Sequence, residues 1–354
     1  MSDFFSDFDS RVPAWLSGSG PAADIVLSTR ARLARNLRAF RFPNHASDPE
    51  LATILGDLQR RLVRTPAFDQ GWFLETGSLD DIQRRSLKEM HLVSPALLRS
   101  PLHRGVLLSR DMCRTSLVNE EDHLRLQAYR SGFDPGGAVT DVLALDDQLE
   151  GEIDVAFSDE LGYLTACPSN AGTGLRLSAL VHLPGLVLAG EIEKVLNALR
   201  HLRFAVRGLF GEGSTVRGAV FQISNMVTLG RDEAEVTNDF SYHVGRVLIH
   251  EKTAREQLYQ QDRLGLEDVV LRSSAVLAAA RLITAQETFD RLSHVRLGVS
   301  LGILEGPEPA VLNRALVRQQ TAHLELAAGR SLAGRDKSAV RADYLRRLLA
   351  AEDE

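Results

Sequence analysis

Four short segments put charged and nucleophilic side chains next to rigid or glycine-rich backbone. They are Ser28-Thr29-Arg30-Ala31-Arg32, Asn119-Glu120-Glu121-Asp122-His123-Leu124-Arg125, Cys167-Pro168-Ser169-Asn170-Ala171-Gly172-Thr173-Gly174-Leu175-Arg176 and Arg207-Gly208-Leu209-Phe210-Gly211-Glu212. In extended backbone Arg30 and Arg32 point to one face, so two guanidinium groups could grip a single polyphosphate. The Asn170–Gly174 loop would let backbone N–H groups approach an anion, with Arg176 following on a strand. Taken singly, an R-x-R pair also fits an ion-paired surface, Glu120-Glu121-Asp122 a solvated acidic loop, and Cys167 a small buried residue.

The elements that must carry these segments are legible in part. Leu177, Ala179, Val181 and Leu183 alternate with Arg176, Ser178, Leu180 and His182 as a strand, and Ala219, Phe221 and Ile223 repeat that period. Ile192, Val195, Leu196, Leu199 and Leu202 fall on one helical face. Val236, Phe240, Val244, Val247 and Leu248 form the stripe of a second helix whose first turn holds Asp232 and Glu233. Beyond that helix strand signals thin out, with stripes at Val276, Ala279, Leu282, Ile283 and at Leu312, Leu316, Gln319, His323. The expected organisation is a leader over 1–23, a catalytic domain over 24–254 and a helical docking and dimerisation domain over 255–354.

Composition narrows the chemistry. The chain has 354 residues, 44% of them apolar, with a formal net charge of −6. That is an ordinary folded balance, without the broad positive field of a dedicated nucleic-acid binder. Of 41 basic residues only Lys88, Lys194, Lys252 and Lys337 are lysines, leaving 37 arginines. Any Schiff-base or phosphate-gripping lysine must therefore be one of four, while guanidinium groups abound. Two cysteines, Cys113 and Cys167, cannot build a disulfide framework or a cysteine-rich zinc site. The start is acidic and aromatic rather than signal-like, and the most apolar stretch, Leu175–Leu188, is too short to span a bilayer. A cytoplasmic protein, with no membrane or direct nucleic-acid partner, is expected.

Other motif matches fail their structural requirements. Gly298-Val299-Ser300-Leu301-Gly302 lacks the following helix that a nucleophile elbow needs. His250-Glu251 has Ala254 where a zincin has its second histidine, and Gly329/Gly334 have Arg335-Asp336 where a P-loop has Lys-Ser/Thr. His123 and His182 have no metal-ligand spacing and read as structural.

In this order and wording the four segments closely resemble the signatures of the ATP:guanido phosphotransferase (phosphagen kinase) family: STRxR, NEEDH-L-R, CPxNxGTGLR and RGxxGE. The likeness extends through Asp24–Leu27, His91–Pro95, Val181–Pro184, Phe221–Asn225 and Thr228–Gly230. It implies an α+β fold, an antiparallel sheet flanked by helices followed by an all-helical C-terminal domain. It also implies that Arg30, Arg32, Arg125, Arg176 and Arg207 hold the phosphates of ATP. The nucleotide site would be lined by Ser28, Thr29 and Ala31, by Leu177, Ser178, Ala179 and Leu180, by Gly208, Leu209, Phe210, Gly211 and Glu212, and by His91 nearby. Glu121, as principal base, and Glu212 would hold the substrate guanidinium beside a reactive Cys167. Mg²⁺ would be carried on the ATP phosphates, with no metal site built from protein side chains.

Only 27 residues precede Ser28, where kinases of small guanidino compounds carry a helical domain that closes over the substrate. The resemblance therefore implies an open site suited to arginine on a polypeptide, as in the family's bacterial protein-arginine branch. For that branch it implies a McsA-like activator, substrates that include misfolded proteins and a CtsR-like repressor, delivery to ClpC–ClpP, and a homodimer. The branch's RDxxRA phosphoarginine pocket is matched only by Arg341-Ala342, since Lys337-Ser338 stands where Arg-Asp is expected. Two other readings remain: a kinase of free arginine or another small guanidino compound, and a non-catalytic adaptor on the same fold.

Overall fold

The computed structural model describes residues 3–6, 8, 11–100, 102–209 and 216–350. Its strands are β1 (Val26–Arg35), β2 (Trp72–Glu75), β3 (Gly105–Leu108), β4 (Arg114–Val118), β5 (Leu124–Ser131), β6 (Phe157–Ser158), β7 (Gly162–Tyr163), β8 (Leu175–His182), β9 (Phe204–Gly208) and β10 (Val220–Asn225). Eight of them form one sheet in the order β2-β3-β4-β5-β1-β8-β10-β9, and β6–β7 is a separate ribbon. Every pairing in the sheet is antiparallel.

The earlier helices are α1 (Asp3–Ser6), α2 (Asp48–Leu62), α3 (Asp81–Glu89), α4 (Pro95–Arg99), α5 (Pro135–Asp147), α6 (Pro184–Leu188) and α7 (Ile192–His201). After the sheet come α8 (Glu233–Gln261), α9 (Arg263–Ala279), α10 (Ala285–Ser300), α11 (Pro309–Arg318), α12 (Thr321–Ala328) and α13 (Gly334–Ala350). Asp232 opens α8 with a capping box, accepting from Glu235 N while the Glu235 side chain accepts from Asp232 N, which satisfies two end donors reciprocally. The stripe Val236, Phe240, Val244, Val247 and Leu248 is buried as its spacing predicts. Helix α8 runs unbroken across residues 254 and 255, and the chain breaks at Asp262, the N-cap of α9.

Strand register gives the sheet two distinct faces. On one, Ala31, Leu33, Leu126, Ala128, Leu177, Ala179, Phe221 and Ile223 join a core with Ile54, Leu58, Val142, Leu196, Phe240 and Val244. The opposite face is apolar only at its margins. One margin holds Leu74, Val106, Leu108, Leu117 and Tyr129 with Phe4, Phe8, Trp15, Leu87 and Val317. At the other, Leu27, Leu180, Leu209 and Val220 pack with Leu277, Phe289, Leu292, Leu312 and Leu345, so the C-terminal helices share a core with the sheet.

Two sequence stripes are interrupted. Helix α9 ends at Ala279, leaving Leu282 exposed and Ile283 buried beyond it. Leu312, Leu316, Gln319 and His323 are all buried but span the break between α11 and α12. Glu89 holds that break together. Its carboxylate accepts from Ala322 N, His323 N and His323 Nδ1 at 3.1, 3.1 and 2.8 Å.

Candidate active site

The middle of the second face is a floor of arginines. Arg30 lies opposite Tyr129 and Ser178, Arg32 opposite Gln127 and Arg176, Ala34 opposite Arg125, and Gln222 opposite both Leu180 and Arg207. Register partners project to the same side of a sheet, so Arg30, Arg32, Arg125, Arg176 and Arg207 share one face. These are the five arginines singled out in the sequence. Arg30 Nε donates to Ser178 Oγ at 3.3 Å, and its guanidinium lies 5.8 Å from the Tyr129 ring centroid.

Crowding these cations is costly, and their acidities register it. Burial first, then the charges of Arg30, Arg125 and Arg176, push the Arg32 guanidinium well below its ordinary pKa, against the pull of Glu120. Burial, Arg207 and Arg125 likewise lower Arg176, against Cys167 and Glu121. The Nε atoms of Arg32 and Arg176 are buried without a hydrogen-bond partner among the described residues. Buried donors are normally satisfied, so this floor has donors and positive charge to spare for a polyanion.

One buried carboxylate offsets part of that charge. Glu120 Oε2 is 2.5 Å from Arg125 Nη1, and Glu120 also accepts from the Ser94 hydroxyl and from Glu121 N. Burial opposes its ionisation, but Arg125, Ser94, the Glu121 amide and Arg32 outweigh that, leaving its pKa below the usual carboxylate range. Glu121 stands at the rim, its side chain 45% exposed, with Oε2 3.2 Å from Arg125 Nη2. The two acids have separate stations: Glu120 serves the arginine floor and Glu121 faces outward.

The tip between β4 and β5 is fixed by its own side chains. Asn119, at φ +57°, donates through Nδ2 to the carbonyls of Leu51 and His103. Asp122 accepts from Asn36 Nδ2 and Ala166 N, both at 2.7 Å, and so ties the tip to the segment carrying Cys167. His123 Nδ1 accepts from Leu37 N, which leaves Nε2–H to donate to the Arg41 carbonyl. That fixes the neutral tautomer, and burial lowers the ring's pKa.

Cys167 Sγ is 3.0 Å from Ser169 Oγ. The glycines beside it are used for close approach of chain to chain. At Gly172, φ +96°, a Cβ would lie 2.7 Å from the Thr228 carbonyl, and at Gly174 2.8 Å from the Ala34 carbonyl. Arg35 Nη1 and Thr228 Oγ1 hold the loop through the carbonyls of Thr173 and Ala171 at 3.0 and 2.6 Å.

The remaining sequence-assigned residues divide by position. Ser28 and Ser178 lie on the arginine face. Thr29, Ala31, Leu177 and Ala179 project to the opposite side: Thr29 Oγ1 donates to the Gly132 carbonyl at 2.7 Å, and the other three are core. Leu180 and Leu209 pack against the C-terminal helices, and Gly208 is a buried edge position opposite Phe221. His91, at φ +59°, is anchored through its carbonyl by the Tyr129 hydroxyl at 2.7 Å. Burial, then Arg30, His323 and Lys88, take its ring down to about 3.

Phe210, Gly211 and Glu212 lie outside the described residues. Arg341 is buried, donating to the carbonyls of Gln319 and Ile283 at 2.8 and 3.2 Å, which joins α13 to the end of α11 and the α9–α10 turn. Glu120 was the member of the acidic run that sequence reading passed over. No spacing separates it from Glu121; its inward station is set by Ser94 and Arg125 in the fold.

The chain matches the family models "ATP:guanido phosphotransferase, C-terminal catalytic domain" over residues 59–254 and "Protein-arginine kinase McsB C-terminal domain" over 263–354. It is 40% identical to the protein-arginine kinase of Halalkalibacterium halodurans, covering 97% of each chain. Its identity to that of Moorella thermoacetica is 42%, over 96% of this chain and 98% of the relative. To that of Bacillus subtilis it is 38%, over 96% and 94%. Among solved structures, lombricine kinase superposes with a TM-score of 0.57 at 24% identity over 66% of this chain and 68% of that one. A duplicated taurocyamine kinase from Schistosoma mansoni gives 0.61 at 24% identity, over 66% of this chain and 34% of that one; both likenesses concern the fold. With two family models end to end and near-complete coverage by these relatives, the chain belongs to the ATP:guanido phosphotransferase family.

Proposed function

We propose that the chain is a protein arginine kinase that transfers the γ-phosphoryl group of ATP to arginine side chains of proteins. The observation that carries this reading is the adjacency of a five-arginine floor to a rim carboxylate, Glu121, and Cys167. Phosphoryl transfer concentrates negative charge on the moving group, so catalysis is mostly positioning and electrostatic stabilisation. Arg30, Arg32, Arg125, Arg176 and Arg207 supply that charge without lysine. Mg²⁺, carried on the ATP phosphates, would neutralise further charge.

The acceptor guanidinium is planar, protonated and a poor nucleophile, with a pKa above about 12. Glu121 and Glu212 would hold it in a fork, in line with the γ-phosphorus. A nitrogen–phosphorus bond forms, the bond to the bridging oxygen of ADP breaks, and the nitrogen's proton passes to Glu121. Ser28, Ser178 and His91 line the nucleotide side, while Cys167 stands by the acceptor.

In this reading the partners are exposed arginines of misfolded proteins and a CtsR-like repressor, a McsA-like activator and the ClpC–ClpP protease, in the cytoplasm. Residues 255–354 serve docking and homodimerisation. No helix among the described residues is long and apolar enough to cross a membrane. The deciding experiment offers Mg·ATP with either an unfolded protein or free L-arginine and detects acid-labile N-phosphate. Phosphorylation of free arginine alone selects the small-molecule kinase; none on either acceptor selects the adaptor.

A further inference from the structure

The β6–β7 ribbon takes no part in the chemistry above, yet it is built rigidly onto the site. Tyr163 N donates to the Gly172 carbonyl at 2.8 Å, Leu164 N to Ala156 O at 2.9 Å and Ala156 N to Asn36 O at 2.8 Å. The Arg35 guanidinium lies 3.4 Å from the Tyr163 ring centroid. Gly162, at φ +70°, is required where the ribbon crosses Gly172, because a Cβ there would sit 2.6 Å from the Gly172 carbonyl oxygen. The ribbon is thereby stitched to the Cys167–Gly174 loop, and the preceding Ala166 donates its amide to Asp122, next to Glu121.

Its outer end is unlike its base. Phe157 packs edge-on against Tyr163 at 5.2 Å but stays 44% exposed, as does Leu161 at the turn. Between them Asp159 and Glu160 are exposed and form no ion pair among the described residues. Nearby acids differ: Asp141 pairs with Arg114 and Arg130, Asp146 with Arg35, Glu152 with Arg61 and Asp154 with Arg38. Phe157 and Leu161 each leave nearly half of their surface in water, apolar area that a docked segment would bury, and these two carboxylates pair with no cation among the described residues.

Building on the protein-arginine reading, we propose that this ribbon is the docking lip for the substrate polypeptide. The occupant is an extended, unfolded segment, whose apolar residues lie on Phe157 and Leu161 and whose additional basic residues face Asp159 and Glu160. Leu161 and Cys167 are six positions apart in the chain, so the tip lies within roughly 20 Å of the cysteine. Residues within about six positions of the target arginine therefore reach it, provided their backbone is extended. Charge complementarity selects the partner: a cationic segment is attracted to the lip, whereas the arginine floor beyond takes the polyanion.

The test uses the full chain, Mg·ATP, and a synthetic unfolded peptide with one arginine flanked by lysine and leucine. Capped arginine and the same peptide with glycine and serine flanks serve as comparisons. The double substitution D159K/E160K should raise KM for the lysine–leucine peptide about tenfold with kcat unchanged, the effect fading in high salt. F157S should raise it about fivefold with no salt dependence. Neither should move KM for ATP, for capped arginine or for the glycine–serine peptide, and D159N/E160Q should fall between wild type and the charge reversal. Unchanged KM for the lysine–leucine peptide in both D159K/E160K and F157S overturns the docking lip while leaving the kinase reading intact. A wild-type enzyme that phosphorylates neither peptide overturns both.

Discussion

Replacing Glu120 by alanine asks whether one buried carboxylate holds the arginine floor together. Its pair with Arg125 is almost dry, the side chains being 2% and 10% exposed at 2.5 Å. Removing one partner of such a pair costs about 3–5 kcal/mol, because the other charge stays desolvated. Arg125 keeps the rim carboxylate of Glu121, worth at most about 1 kcal/mol at that exposure, so a net loss of about 3 kcal/mol is expected in urea unfolding at neutral pH. Glu120→Gln preserves the shape and should lose less. The pH dependence has a definite sign. Glu120 is more acidic folded than unfolded, so its contribution is complete above the unfolded value of about 4.3 and is lost as pH falls through the lower folded value. The gap between wild type and E120Q should therefore be flat above about pH 5 and close below it. Inorganic triphosphate should restore part of the stability of E120A by supplying the missing negative charge. Superimposable unfolding curves for wild type and E120A would refute the reasoning, and a loss unaffected by triphosphate would refute the assignment of the face to a polyanion.

Arg32→Met removes a cation that burial and its neighbours already disfavour, so it should raise stability by about 1–3 kcal/mol while weakening ATP binding at least tenfold in calorimetry; a fall in stability would contradict the crowding argument. Gly172→Ala forces a Cβ to within 2.7 Å of the Thr228 carbonyl at φ +96° and should cost about 1–3 kcal/mol, seen as faster amide exchange across the Cys167 loop. Glu251 accepts from Gly185 N and Leu186 N, both at 2.9 Å, and pairs with Arg255 at 2.6 Å. Glu251→Ala should therefore cost about 3–5 kcal/mol in chemical denaturation, and a loss under about 1 kcal/mol would argue against a buried pair.

What the sequence made legible was local. Asp232 and the stripe from Val236 to Leu248 needed only a cap and a period, and both stand in α8. The alternation from Leu177 to Leu183 placed β8 because one of its faces is dry over most of its length. The stripe from Leu312 to His323 misled because its burial continues while its helix does not. Glu89, more than two hundred residues away in the chain, caps the second piece, and no local pattern carries that. Within the site, R-x-R spacing was enough to put Arg30 and Arg32 on one side. Motif membership does not fix side-chain direction: strand parity turns Thr29, Ala31, Leu177 and Ala179 away from the arginine face. The division between Glu120 and Glu121 depends on which of two adjacent acids the β4–β5 tip turns inward, and that is settled by Ser94 and Arg125 in the folded chain.

A cation at a protected surface acts on a neighbouring charge more strongly than one screened by bulk water. Protection needs walls, and here the half-buried arginine face has two of different origins. One is mostly the early chain, Phe4, Phe8, Trp15, α3 and the β2–β5 margin, with Val317 of α11 packed into it. The other is made by Leu27, Leu180, Leu209 and Val220 with residues of α9, α10, α11 and α13. Deleting the C-terminal helices would therefore strip packing from both sides of this face, Val317 from one and Leu277, Phe289, Leu312 and Leu345 from the other, and let water reach the five guanidinium groups. The helices that look in sequence like a separate docking unit share, in the folded chain, the packing on both sides of the arginine face.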